Sequence, residues 1–264
     1  GLAVWVYSVS DRFFLLYFRN AGEVGFYSIG NTFSQPIGLI SMAVQMSFGV
    51  LFYDIFHKES DDKPMSKQLM SKVLYLYISI SSIITIGISL FSYELVGFIT
   101  TSEYLPGIVV IPIICVAGIF AQLSEIVPVG ISISEKTWHY TWIIAVAALV
   151  NAGLNFIFIP LIGFLGAALT TLAAYIIYFS LSDYISRAYF NAGFSRLRIY
   201  LYLLITFCIA FIFPYLQLNF KITNILALKV IVFAFFLFLP IFFKFISASQ
   251  INTIYKYISA RIGI

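Results

Sequence analysis

The chain has 264 residues, 61% of them hydrophobic and 10% charged, with a mean hydropathy of +1.00 and a formal net charge of +4. That composition belongs to an integral membrane protein, and since no polar stretch exceeds about twenty residues it excludes a sizeable soluble domain. The 15 Lys and Arg sit in short connections between apolar runs rather than on one soluble face, so nucleic acid is excluded as a partner and the charges read as orientation signals.

Eight apolar segments follow in order. Residues 1–18 are the end of a span, carrying Asp11 and Arg12, and close at the polar connection Arg19-Asn20-Ala21-Gly22-Glu23. The opening at Gly1 inside an apolar stretch, with no initiator Met, basic leader or cleavage site, reads as the C-terminal part of a longer protein. Residues 24–53 are uncharged, yet Asn31, Ser34, Gln35, Gly38, Ser41, Gln45 and Gly49 recur every three or four positions, which puts them on one helical face. Pro36 removes one hydrogen bond within this helix, and a kink is expected there. The connection 57–72 is the most charged of the chain, and 73–93 is an ordinary span.

Residues 104–134 form a second unusual helix, long, with Pro106, Pro112 and Pro128, and with Gln122 and Glu125 inside the apolar run. Positions 137–182 then carry no Lys, Arg, Asp or Glu. A bilayer core is crossed by about 20 helical residues, so this run holds two spans and must fold back. Pro160 is expected to end the first (138–160), Leu161 to Gly166 to turn, and 166–181 to return, with Gly166, Thr170 and Ala174 as a small-residue stripe for close helix contact. Residues 199–217 and 224–243 read as plainer, lipid-facing additions. Beyond them Ile251, Ile254, Ile258 and Ile262 share one face of an expected interfacial helix.

If successive segments alternate sides, the connections after the second, fourth, sixth and eighth hold eleven of the 15 basic residues, and the others hold Arg19, Lys221 and Lys229. The basic set, and with it the C-terminus, is expected to be cytoplasmic.

Ionisable groups are expensive inside a span, which makes Asp11, Arg12 and Glu125 candidate functional residues. Adjacent helical residues point about 100° apart, so Asp11 and Arg12 cannot neutralise each other along one face, and at least one meets another helix or a water-filled cavity. Arg12 can alternatively snorkel to headgroups, Glu125 can be a neutralised acid or a cation site, and the stripe of 24–53 can be interhelical glue rather than a cavity lining. Asn151 and Asn155, one turn apart, read as packing contacts. No soluble catalytic centre is legible: His57 and His139 lie in different connections, no His or Cys pair has metal spacing, and Cys115 and Cys208 sit in apolar runs. We therefore expect neither enzyme activity nor a cofactor.

The run Val9-Ser10-Asp11-Arg12-Phe13-Phe14-Leu15 with Ala21-Gly22-Glu23-Val24-Gly25-Phe26-Tyr27-Ser28 resembles the start of the second lobe of polysaccharide-transporter-type (Wzx-like) lipid-linked oligosaccharide flippases. Glu135-Lys136-Thr137, Asn151-Ala152-Gly153-Leu154-Asn155, Ile159 to Ala168 and Thr170-Thr171 resemble that family's hairpin, an architecture shared with multidrug exporters and peptidoglycan-precursor flippases. The resemblance implies an all-α membrane protein of eight transmembrane helices, six forming the second lobe (1–188) and two extra ones in 189–264 with a cytoplasmic tail. It further implies a bacterial inner-membrane transporter that flips undecaprenyl-diphosphate-linked oligosaccharide by alternating access for O-antigen or capsule-type polysaccharide, with membrane lipids, a polysaccharide polymerase and a chain-length regulator as partners. A cation-coupled multidrug exporter is the alternative, and a membrane-embedded glycan polymerase or acyltransferase a more distant one. On this reading Arg12, Asn31, Gln35, Ser41 and Gln45 bind substrate, Arg12 meeting the diphosphate, while Asp11 and Glu125 bind a coupling cation or pair with charge.

The charge asymmetry has a direct check. Single cysteines near Lys63 and Arg196 should react with an impermeant thiol reagent only from the cytoplasm, and those near Glu103 and Asn219 only from outside. The reverse pattern would refute the orientation.

Overall fold

In a computed structural model that describes residues 2–59, 62–220 and 226–245, every apolar run is helical and no strand occurs among the described residues. A chain with this little polar surface has few partners for its backbone outside itself, and the helix satisfies each N–H and C=O within one segment. The order is α1 (Leu2–Phe18), α2 (Ala21–Lys58), α3 (Pro64–Leu90), α4 (Ser92–Ile99), a 3-10 helix (Ser102–Val109), α5 (Val110–Ile126), α6 (Val129–Ile133), α7 (Trp138–Ser186), α8 (Arg196–Phe220), α9 (Leu226–Phe236) and α10 (Leu239–Phe242). Five stretches are long and apolar enough to cross a membrane: α2, α3, Ser102–Ile133, α7 and α8. Of the eight segments expected, two are the arms of α7, while α1, with 17 residues, and Leu226–Phe242 are shorter. The expected interfacial helix at 251–262 lies outside the described residues.

Local chemistry explains the boundaries. Asn20 caps α2 by accepting the Glu23 N–H, and α2 then runs unbroken through Pro36. The expected long helix over 104–134 is instead three pieces. Pro106 lies in the 3-10 turn, Pro112 is tolerated near the start of α5, and Pro128 separates α5 from α6. At the α2–α3 connection the Glu59 carboxylate accepts from the Met65 N–H (2.5 Å) and from the Ser66 N–H (2.9 Å) and hydroxyl (2.5 Å), capping α3 at a distance. Partial desolvation works against it, but those hydrogen bonds and the nearby Lys63 charge hold the Glu59 carboxyl below the usual carboxylate range.

α5 is the centre of the bundle. It is apolar from Val110 to Ala121, carries Gln122 and Glu125 in its last turns, and is buried against α2, α3, α7 and α8, which suits a helix with little lipid-facing side. α8 buries one stripe (Ile199, Tyr202, Leu203, Thr206, Ala210, Phe213, Gln217) against α3 and α5 and exposes Leu204, Ile212 and Tyr215 on the other. It is therefore packed into the bundle, not merely appended. Lys229, assigned from sequence to a connection, lies inside α9, fully buried, with Nζ 2.7 Å from both Glu94 carboxylate oxygens.

The reversal within α7 is sharper than the sequence suggests. Helix continues through Pro160 and breaks only at Gly163 (φ 60°, ψ −137°), a backbone conformation open in practice to glycine alone. In an uninterrupted helix the Phe164 N–H would bond the Pro160 carbonyl. Here Arg19 donates to the carbonyls of Ile159 (3.1 Å) and Pro160 (2.9 Å), and Glu23 Oε2 accepts the Phe164 N–H (2.8 Å). A cation thus meets the C-terminal end of the first arm and an anion the N-terminal end of the second, each matched to the helix dipole.

The connections sort to two ends. Phe56 packs on Phe190 (centroids 5.8 Å), Lys136 lies over the Tyr189 ring (5.0 Å) and Gly130 N–H bonds Ser186 Oγ (3.0 Å), which gathers the connections after α2, α6 and α7. Arg19, Gly163, Phe26 and Tyr104 mark the opposite end.

A Cβ at Gly163 would lie 2.1 Å from Glu23 Oε2 as well as facing the forbidden φ/ψ. Gly163→Ala should therefore cost about 1–3 kcal/mol and lower the unfolding temperature of detergent-purified protein. An unchanged melting temperature would show that the reversal does not depend on this residue.

Candidate functional site

The reversal at Gly163 brings together residues at equal distances from it. Asn155 lies eight positions before, Thr170 and Thr171 seven and eight after, and the Thr170 hydroxyl donates to Asn155 Oδ1. α1 packs on both arms and places Asp11 at this level, only 3% exposed. Asp11 Oδ1 accepts from Asn155 Nδ2 (2.6 Å), and Oδ2 accepts from the Tyr27 hydroxyl (2.5 Å) and the Thr171 hydroxyl (2.6 Å). Asn155 Nδ2 also reaches Asn151 Oδ1 (3.1 Å), to which the Ser10 hydroxyl donates (3.3 Å). Asn151 and Asn155, read from sequence as packing contacts, are thus part of the Asp11 network.

No Lys, Arg or His among the described residues pairs with Asp11. A buried lone carboxylate costs several kcal/mol, and hydrogen bonds to a charge return about 1.5–3 kcal/mol each. Neutral donors lower that cost but leave the net charge in place. Two chemical states remove it: protonation of Asp11, or a monovalent cation seated against the carboxylate and the surrounding hydroxyl and amide oxygens. A divalent ion would leave a net positive charge in the same buried position.

Asp11 opens on a cavity of about 230 Å³ whose walls are Tyr27, Asn31, Ser34, Gln35 and Gly38 of α2, Gln122 and small residues of α5, and Thr171 and Tyr175 of α7. The first four positions of the predicted polar stripe line it. Ser41 and Gln45 do not: the Ser41 hydroxyl donates to Gln122 Oε1 (2.6 Å), and Gln45 Nε2 donates to Ser41 Oγ and Gln122 Oε1 (3.1 Å each), tying α2 to α5 just beside it. A second cavity of about 170 Å³ adjoins the first through Ala121, Gln122 and Tyr175 and contains Glu125, which accepts from the Tyr178 hydroxyl (2.9 Å).

Arg12 is one residue from Asp11 and in a different place. It is exposed, lining a shallow apolar groove of about 190 Å³ with Phe13, Leu16, Ala21 and Val24 between α1 and α2. It pairs with neither Asp11 nor Glu125. Tyr27, Thr171 and Tyr178 were not singled out from sequence. The signal available for Thr171 was its equal spacing with Asn155 about the glycine, and for Tyr178 its position seven residues beyond Thr171 on the same face.

Comparison with protein-family models and with curated proteins gives no match to this chain.

The network separates two effects of changing Asp11. An Asn there keeps the acceptor for Asn155 and offers an amide N–H₂ to the Tyr27 and Thr171 oxygens, without net charge. Asp11→Asn should leave the unfolding temperature of the purified protein unchanged or raise it, whereas Asp11→Leu should lower it by stranding three buried polar groups at about 1–3 kcal/mol each. Equal destabilisation by both would mean that the buried charge itself holds the fold.

Proposed function

We propose that this protein is a transporter working by alternating access, coupled to a monovalent cation or proton held at Asp11, and that its cargo is a lipid-linked oligosaccharide carried on undecaprenyl diphosphate. The observation that carries the transporter reading is the buried Asp11, without a basic partner, opening on a polar cavity amid helices apolar enough to cross a membrane. A group whose charge must be neutralised by something that comes and goes is suited to link ion occupancy to conformation, because the two occupancy states favour different packings.

The cargo rests on the resemblance in the runs around Asp11-Arg12 and Asn151 to Thr171, with physical support from Arg12. A diphosphate bearing sugars cannot cross hydrocarbon unaided, and it needs fixed cations where water is withdrawn. Arg12 is a charge that burial does not readily remove, its planar donors match phosphate oxygens, and the apolar groove beside it suits the chain of a lipid carrier. On this proposal the chain makes eight spans in the bacterial plasma membrane, six of them one lobe, with the basic end and C-terminus cytoplasmic and a polysaccharide polymerase and chain-length regulator as partners. Asn31 and Gln35 meet the glycan from the cavity wall, and Ser41 and Gln45 hold that wall through Gln122.

A cation-coupled drug exporter has an observation of its own: among the described residues, the charged side chains lining the two adjoining cavities are the acids Asp11 and Glu125, which suits a cationic cargo. Proteoliposomes of the full-length protein separate the readings. Labelled polyprenyl-diphosphate oligosaccharide should change leaflet, and small cationic drugs should not be moved. Arg12→Ala should reduce glycan flipping by about tenfold or more and Arg12→Lys should retain part of it, since the charge survives and the planar fork is lost. Drug movement without glycan flipping would establish the exporter instead, and full flipping by Arg12→Ala at normal abundance would remove Arg12 from the diphosphate site.

A further inference from the structure

The two carboxylates differ in access. Asp11 is almost completely buried, whereas Glu125 is exposed. Their cavities adjoin, with Ala121, Gln122 and Tyr175 in the walls of both, and mark a lane from one acid to the other. Two helices build its length. On the second arm of α7, Thr171, Tyr175 and Tyr178 follow at the spacing of one helical face, with Thr171 bonded to Asp11 and Tyr178 to Glu125. At helical rise these contacts are about 10 Å apart along the arm. On α5, Ala117, Gly118 and Ala121 leave the room that larger side chains would fill, and Gln122 offers the polar surface between the acids.

Direction follows from the chain. Glu125 is on the α6 side of α5, towards the end where the connections after α2, α6 and α7 gather, and Asp11 lies deeper in the bundle. The titratable groups facing Glu125 are Tyr178, Tyr140 and Tyr175, those facing Asp11 are Tyr27 and Tyr175, and among the described residues no basic side chain lines either cavity. A cation entering from that end therefore meets an exposed negative charge first and a buried one last.

We infer that Glu125 is the loading site for the monovalent cation that Asp11 stores, and that the lane between them, floored by Ala121 and Gln122, is its route from the basic end of the bundle. This rests on the reading of Asp11 as the coupling site and adds where the ion enters. Glu125 acts on the rate at which Asp11 is filled, as a fixed anion at the mouth of a low-dielectric channel does, and not on how tightly Asp11 holds the ion. Sodium and the proton share the chemistry needed.

The test uses purified full-length protein in detergent and follows occupancy in two arms: binding of radioactive sodium, and proton uptake after a pH jump in weakly buffered, sodium-free choline chloride read with an indicator dye. The arm that gives a signal lost in Asp11→Asn identifies the ion. In that arm Glu125→Gln should leave the Asp11-dependent amplitude intact and slow its appearance by about tenfold or more. Glu125→Asp should recover much of the rate, and Tyr178→Phe, which keeps the acid and removes its hydrogen bond, should stay within about twofold of the parent. Ala121→Leu, which narrows the lane without touching a charge, should slow filling as well and serves if Glu125→Gln does not fold. If Asp11→Asn changes neither arm, the coupling reading falls and this inference with it. If Asp11→Asn removes the signal but Glu125→Gln and Ala121→Leu fill as fast as the parent, the reading of Asp11 stands and the route is wrong.

Discussion

The reversal of α7 at Gly163 is the constraint on which the site depends. Two apolar helices fold back at a single residue only if the backbone groups freed there find partners, because surroundings this apolar supply few. Arg19, from the connection between α1 and α2, and Glu23, in the first turn of α2, satisfy the two sides of the break. The clamp does more than close a turn. By fixing α1 and α2 to the apex it sets how deep Asp11 and Tyr27 sit relative to the arms, so the same contacts that make the hairpin bring Asn155 and Thr171 to the Asp11 carboxylate.

Other buried charges are handled differently. Lys229 is fully buried but meets both oxygens of Glu94, and Asp183, 5% exposed, is held by Arg196 through two contacts of 2.6 and 3.1 Å and lies near Arg187. Those pairs neutralise themselves and tie neighbouring helices together, α4 to α9 and α7 to α8. Asp11 has neutral donors where the others have a counter-charge. Structural needs alone would be met more cheaply by an Asn, which keeps the acceptor for Asn155, reverses the hydrogen bonds to Tyr27 and Thr171 by donating to their oxygens, and buries no charge. That contrast within one molecule makes Asp11 the group whose chemistry calls for a function.

Much of this was readable beforehand. The uncharged stretch at 137–182 exceeds one bilayer thickness, which forces a hairpin whatever the details, and the three-to-four spacing from Asn31 to Gly38 puts those residues on the wall of one cavity. The turning residue was misplaced because Pro160 is the stronger breaker by propensity. A proline inside a helix forfeits only its own bond to the carbonyl four residues back, and the carbonyls freed by the break at Gly163 are served by Arg19, 141 positions from Pro160. Lys229 was read as a loop charge because its partner, Glu94, is 135 positions away, and the pairing of Asp11 with Asn155 is equally non-local. Periodicity reports which face a residue occupies on its own helix. It carries no information on what that face meets.

On the transporter proposal, the dipeptide Asp11-Arg12 lets one turn of helix serve two ions of opposite sign. Were the two side chains paired, each would cancel the other and neither could respond to a ligand. The helical offset of about 100° sends Asp11 inward to a network of neutral donors and Arg12 outward to an apolar groove. An anionic headgroup at Arg12 and a cation at Asp11 would then sit on opposite sides of the same helix backbone, near enough for each to feel the other's charge across a low-dielectric gap. Occupancy at one face would favour occupancy at the other, and the coupling would be reciprocal, as linkage requires of any two sites that share an energy term. On that proposal a helix carrying the pair would need no distant relay to connect an inward ion with an outward anion, because the two side chains are one residue apart.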